Sequence, residues 1–88
     1  MHAVIIDVII PDRSVAKAEL DDQIVPLVSG MPGFVAAYWV ALSQDKGTSM
    51  VVFDTEASAQ ALASQADSAP VGSVTTRRIE VGEVMAHA

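Results

Sequence analysis

The stretch Ala3-Val4-Ile5-Ile6-Asp7-Val8-Ile9-Ile10 decides the fold, because it is dense in β-branched residues and ends at Pro11. Such a run predicts a β-strand. Both of its alternating residue sets are apolar, with Asp7 as the one interruption. A strand of this kind is expected to have both faces buried. The sheet that contains it therefore needs a cover on each side.

The first helix is predicted between Ser14 and Gly30. Ser14 is a candidate N-cap and Gly30 is a natural helix end. Apolar residues recur at helical spacing along one stripe, at Leu20, Ile24, Leu27, Val28 and Met31. Pro26 lies inside this pattern and lacks the amide that would bond four residues back. We expect a kink or a second short segment there.

The remaining pattern predicts two strands, a second helix and a last strand. Their expected bounds are residues 34–42, 48–53, 56–66 and 73–85. Asp54 or Thr55 should cap the second helix, and the stretch Asp67-Ser68-Ala69-Pro70 should end it. Gly82 predicts a β-bulge in the last strand.

The order strand, helix, strand, strand, helix, strand is that of the split βαβ motif. We therefore predict one α+β domain over residues 1–88, with a ferredoxin-like βαββαβ topology. Its four-stranded antiparallel sheet should carry both helices on one face, with the first and third strands in the centre.

The other face of this sheet should be polar if it meets water. The first and second strands are instead apolar on both faces, in a chain that is 51% apolar and 18% charged. A second copy of the chain is the simplest cover for such a face. The sequence thus predicts a homodimer formed through the open face of the sheet.

The composition also limits the classes of partner and binding site that we expect. A formal net charge of −6 disfavours contact with a phosphate backbone, so no nucleic-acid partner is expected. The chain has no cysteine, which leaves no disulfide and no thiolate metal site. The apolar N-terminal run is too short to span a bilayer. We expect a cytoplasmic protein with no membrane partner.

Two stretches resemble a known family. The segment Met31–Trp39, with its Pro-Gly-Phe turn, and the segment Val51–Ala59, at the start of the second helix, resemble the antibiotic biosynthesis monooxygenase-like superfamily of dimeric α+β barrels. The resemblance implies a dimeric barrel. It also implies a buried pocket in which cofactor-independent members let oxygen react with the anion of a phenol or quinol.

Other members of that family degrade haem and need a histidine ligand on the second helix. This chain has no histidine between Glu56 and Ala66, so haem is not expected. His2 and His87 lie near the two ends without the local spacing of a metal site. We predict no metal and no cofactor.

Asp7, Arg77 and Arg78 are the candidate catalytic residues. A carboxylate inside an apolar strand suits a general base that acts on a phenol. Arg77 and Arg78 point to opposite faces of their strand, and one of them could stabilise an oxyanion. The structural alternative is an ion pair or hydrogen bond between Asp7 and one of these arginines, or a solvated dimer edge.

Tyr38, Trp39 and Phe34 are the candidate ligand-binding residues. Tyr38 and Trp39 are adjacent in a strand, so one should face the helices and the other the partner. Trp39 could stack on an aromatic ligand, and Phe34 should plug the end of the core. The alternative is ordinary packing of large side chains.

The resemblance, taken together with these residues, implies two possible functions. The first is a cofactor-independent monooxygenase-like enzyme acting on a small aromatic, quinol or polyketide-like substrate. The alternative is a non-catalytic dimer module that binds a small ligand or serves as a scaffold. A cavity of several hundred Å³ lined by Asp7, an arginine and an aromatic would favour the enzyme.

Overall fold

The computed structural model describes residues 1–68 and 73–88. The elements are β1 (His2–Ile9), α1 (Arg13–Glu19), a π-helical segment (Leu20–Ile24), α2 (Val25–Ser29), β2 (Phe34–Ala41), β3 (Lys46–Phe53), α3 (Glu56–Ser68) and β4 (Thr75–Glu83). The predicted order of elements is confirmed. The second helix, predicted over residues 56–66, continues to Ser68, so its expected end at Asp67 and Ser68 is wrong. Ala69 and Pro70, the rest of that expected end, lie outside the described residues.

The strands form one antiparallel sheet in the order β2-β3-β1-β4. β1 and β3 are central, as predicted. Val4 of β1 pairs with Val51 of β3 and with Val81 of β4. An α+β fold is thereby confirmed, and the strand order is compatible with the ferredoxin-like arrangement.

The hydrophobic core lies on one face of this sheet, which we call the helix face. Val4, Val51 and Phe53 are fully buried there, and Val28 and Leu62 pack on them from the helices. Burial of each large apolar side chain contributes about 1.5–3 kcal/mol. The opposite face, which we call the open face, has no helix of its own to cover it in the described part of the chain.

The helix starts are fixed by side-chain caps. Asp12, rather than the predicted Ser14, is the N-cap of α1. Its Oδ1 accepts hydrogen bonds from the backbone N of Ser14 at 2.9 Å and of Val15 at 3.3 Å. The Ser14 hydroxyl also donates to Asp12 at 2.7 Å. Of the two predicted caps of α3, Thr55 is the one used, because its Oγ1 accepts from Ser58 N at 3.2 Å.

The predicted break at Pro26 is confirmed. Pro26 lies in the first turn of α2, where its missing amide costs least. Immediately before it, Val25 N donates to Leu20 O, five residues back. This wider spacing accommodates the proline ring, which would otherwise meet the carbonyl four residues earlier.

The irregular positions of the sheet differ from the prediction. Gly82 pairs regularly with Ala3, so the predicted bulge there is wrong. The register of β4 against β1 shifts instead at Arg77. A second shift lies between Phe34 and Ala36 in β2. It moves Phe34 off the strict alternation and onto the helix face.

Candidate functional site

A cavity of about 510 Å³ lies between the helix face and the first helical stretch. Its volume falls in the range of roughly 300–1,000 Å³ that is usual for small-molecule sites. Its walls come from all four strands below, β4 at its start only, and from α1, the π-helical segment and α2 above. Leu62 and Ala66 of α3 close one side.

The cavity exists because α3 and the first helical stretch lie at different distances from the sheet. α3 packs closely on β1, β3 and β4, whereas α1 and the π-helical segment make few close approaches to any strand. Ala16 and Val28 are the buried positions in the first helical stretch. Between them the helix stands off the strands, and the cavity occupies that gap.

The floor of the cavity brings together Ile6, Trp39 and Ser49. Ser49 of β3 pairs with Trp39 of β2 on one side and with Ile6 of β1 on the other. Trp39 is half-buried and Ser49 is buried. The floor thus offers a broad aromatic surface beside the buried Ser49 hydroxyl, set among largely aliphatic side chains.

Two polar tethers hold the rim of the cavity. Arg13 Nη2 donates to the carbonyl oxygens of Leu42 and, at 3.1 Å, of Gln44, which ties α1 to the β2–β3 hairpin. Glu19 accepts from Ser73 N at 3.1 Å and from Ser73 Oγ at 2.6 Å, just before β4 begins. Both charged residues border the cavity, so the site has an apolar interior and a charged rim.

Asp7 and Arg78 lie on the open face. Arg78 Nε is 3.1 Å from Asp7 Oδ2, and Thr48 Oγ1 donates to Asp7 Oδ1 at 2.8 Å. The predicted alternative, an ion pair, is the arrangement found. Neither Asp7 nor Arg78 lines the cavity. The strand period explains this, since Ile6 and Val8 occupy the helix face on either side of Asp7.

A cavity lined by Asp7, an arginine and an aromatic residue would favour an enzyme, and the described residues provide only part of that set. Trp39 and an arginine, Arg13, border the cavity, but Asp7 does not. Arg77 is exposed at the shift in β4 and lies outside the cavity.

The three aromatic candidates separate. Trp39 faces the cavity, and its neighbour Tyr38 is 62% exposed on the open face. Their opposite orientation was predicted. Phe34 meets Phe53 edge-to-face, with ring centroids 6.4 Å apart and planes at 80°. Phe34 thus closes the end of the core, as expected, and makes no wall of the cavity.

The sequence interpretation missed Ser49, Arg13 and Glu19. Ser49 carried a signal, because it shares the strand parity of the apolar Val51 and Phe53. Arg13 and Glu19 carried none. Their partners, Leu42 and Ser73, are distant in sequence, and only the folded chain brings them near.

No protein-family model and no curated protein matches the chain. The resemblance to the monooxygenase-like family therefore remains a prediction. Among the described residues, no group of three or more histidine, aspartate or glutamate side chains is placed to hold a metal ion. None of the helices in residues 1–68 and 73–88 has the length and apolar character needed to cross a membrane.

Proposed function

We propose that this chain binds a small, flat, largely apolar molecule, such as an aromatic phenol or quinol, in the cavity beneath α1. The observation that carries this proposal is the cavity itself, with Trp39 in its floor. An aromatic wall and aliphatic neighbours favour a ring system, and the few polar groups would orient it.

Calorimetric titration with 1-naphthol tests this proposal, and Ala16 and Ala18 of α1 provide a matched pair of variants. Ala16 is buried against the cavity, whereas Ala18 is exposed on the same helix and does not line it. Ala16→Leu should narrow the cavity and weaken binding, and Ala18→Leu should bind as the wild type does. Weaker binding in both variants, or in neither, would count against the cavity as the site.

A second candidate function is cofactor-independent oxygenation of the bound molecule. The resemblance to the monooxygenase-like family supports it, and so does a largely apolar cavity of sufficient volume for an electron-rich ring. With an anthrone the reaction balances without a further reductant: the ring CH₂ and O₂ give a carbonyl and water. Asp7 lies on the open face and would not act on this substrate within its own chain.

Oxygen uptake above the uncatalysed rate, with one O₂ consumed per anthrone, is the expected result for the enzyme. Ala16→Leu should lower this activity. Asp7→Asn should keep it, which separates the cavity from the open-face carboxylate. Binding without oxygen uptake would leave the ligand-binding module as the function.

We further propose that two copies pair through their open faces, as a dimeric α+β barrel requires. Tyr38, Val40 and Met50 are 62%, 47% and 41% exposed on this face, and Ile5 lies beside Met50 in the register. In residues 1–68 and 73–88, the helices cover only the opposite face. The open face of a second copy would bury these apolar side chains, which water otherwise surrounds.

A further inference from the structure

Ser49 is an unusual residue in this cavity. It is only 6% exposed, and within residues 1–67 and 73–88 no other polar or charged residue is buried. It lies near the middle of β3 on the helix face, between Trp39 and Ile6 in the register. A polar side chain at such a central, apolar position calls for a hydrogen-bond partner.

In the described part of the chain, the Ser49 hydroxyl has no hydrogen-bond partner. Ser49 nevertheless lines the cavity, so a molecule there can reach it. Its neighbours Ile6, Trp39 and Val51 offer no side-chain acceptor. Thr48, the next residue, points its hydroxyl to Asp7 on the open face. A molecule held in the cavity can therefore supply the partner of the Ser49 hydroxyl.

We propose that Ser49 orients the ligand by hydrogen bonding to an oxygen on its ring, while Trp39 contacts the ring itself. This inference rests on the proposed function and narrows it. The ligand class becomes oxygen-bearing aromatics, and plain aromatic hydrocarbons bind more weakly. A serine hydroxyl both donates and accepts, so it can accept from a phenol O–H or donate to a quinone carbonyl. The same residue thus suits the reduced and the oxidised form of one ring.

Calorimetry with two ligands of similar shape, 1-naphthol and 1-methylnaphthalene, tests the role of Ser49. In the wild type 1-naphthol should bind more tightly than its hydrocarbon counterpart. In Ser49→Ala the affinity for 1-naphthol should fall by about two- to tenfold, the net value of one hydrogen bond. The affinity for 1-methylnaphthalene should stay the same or rise, because the cavity has become less polar.

Ser43→Ala is the matched control, because Ser43 is exposed in the β2–β3 hairpin and does not line the cavity. It should leave both affinities unchanged. A packing defect from the loss of Ser49 would weaken both ligands alike, so the ratio of the two affinities is the decisive readout. An unchanged ratio in Ser49→Ala overturns the role of Ser49 and leaves the cavity as the site. Failure of both ligands to bind the wild type overturns the proposed function as well.

Discussion

Gly33 sets the turn into β2 through its backbone conformation. Its φ is 82°, in the left-handed region that disfavours side chains. A Cβ there would lie 3.0 Å from Ser58 Oγ and closer still to the Asp54 carboxylate. We expect Gly33→Ala to lower the free energy of unfolding by about 1–3 kcal/mol, from backbone strain and this crowding. Urea denaturation followed by circular dichroism measures the change.

Gly82→Ala is the control for that substitution. A Cβ at Gly82 meets no atom within 4 Å, and its φ is not positive. Its strand conformation suits alanine, so the variant should be neutral or more stable by about 0.5 kcal/mol. Equal destabilisation by the two variants would show that conformation is not what distinguishes them.

Single residues also show where prediction from sequence stops. The turn at Pro32-Gly33 and the opposite orientation of Tyr38 and Trp39 follow from local chemistry and the strand period, and both were predicted. The face that Asp7 occupies depends on which side of β1 the helices cover. Both sides of that strand are apolar, so the pattern could not choose between them.

At the scale of elements, the start of α1 depends on an ionised cap. The hydrogen bond from the Ser14 hydroxyl, together with those from the Val15 and Ser14 amides, lowers the pKa of Asp12 below its ordinary value of 3.8. Because the folded-state pKa is the lower one, the cap contributes stability that is fully present above about pH 4 and is lost as pH falls through the folded pKa.

Asp12→Asn isolates this effect, because asparagine caps a helix about as well as aspartate but does not titrate. The melting temperature of the wild type relative to Asp12→Asn should be constant from pH 7 down to about pH 4. Below that it should shift in favour of the variant. A difference that stays flat down to pH 2.5 would mean that Asp12 is no better stabilised as an anion in the folded chain than in the unfolded one.

The tether from Arg13 holds α1 in place above the cavity. Since α1 makes few close approaches to the strands, its two hydrogen bonds to the hairpin are expected to limit local opening. Arg13→Ala should speed amide exchange in α1 by roughly three- to tenfold, while the amides of β1 and β3 exchange as before. Hydrogen exchange followed by mass spectrometry resolves these segments.

Lys17→Ala is the control for the tether. Lys17 also carries charge on α1, but it pairs with Asp21 one turn along the same helical stretch and reaches no strand. Its loss should have little effect on exchange, as is usual for an exposed pair at this spacing. If Lys17→Ala accelerates exchange as much as Arg13→Ala, the attachment to the hairpin is not what holds α1.

The element pattern was largely predictable, and the cavity was not. Apolar spacing and Pro26 predicted the first helical stretch and its break. The distance of that helix from the sheet depends on the π-helical turn and on contacts with Leu42 and Ser73, which local spacing does not encode. The site therefore appeared only when the elements were assembled.

At the scale of the whole molecule, the two faces of the sheet are unequal. On the open face, three rows of paired residues run across all four strands. The middle row joins Tyr38, Met50 and Ile5 to Glu80 of β4. The face is thus apolar over β2 and over Met50 and Val52 of β3. Its charge lies at Asp7, at Lys46 where β3 begins, and along β4. The sequence predicted this excess of apolar surface, because the strands themselves were apolar on both sides.

Met50→Lys tests whether that surface pairs two copies, and Val15→Lys is its control. The two side chains are similarly exposed, at 41% and 45%, but Val15 lies on α1 and not on the open face. A lysine at the centre of a dimer interface would be desolvated without a partner, whereas in a monomer its stem would lie along the strand with the charge in water. Light scattering at micromolar concentration should therefore give a dimer mass for the wild type and for Val15→Lys, and a monomer mass for Met50→Lys. A wild-type monomer, or a Met50→Lys dimer as tight as that of the wild type, would show that the open face is not the interface.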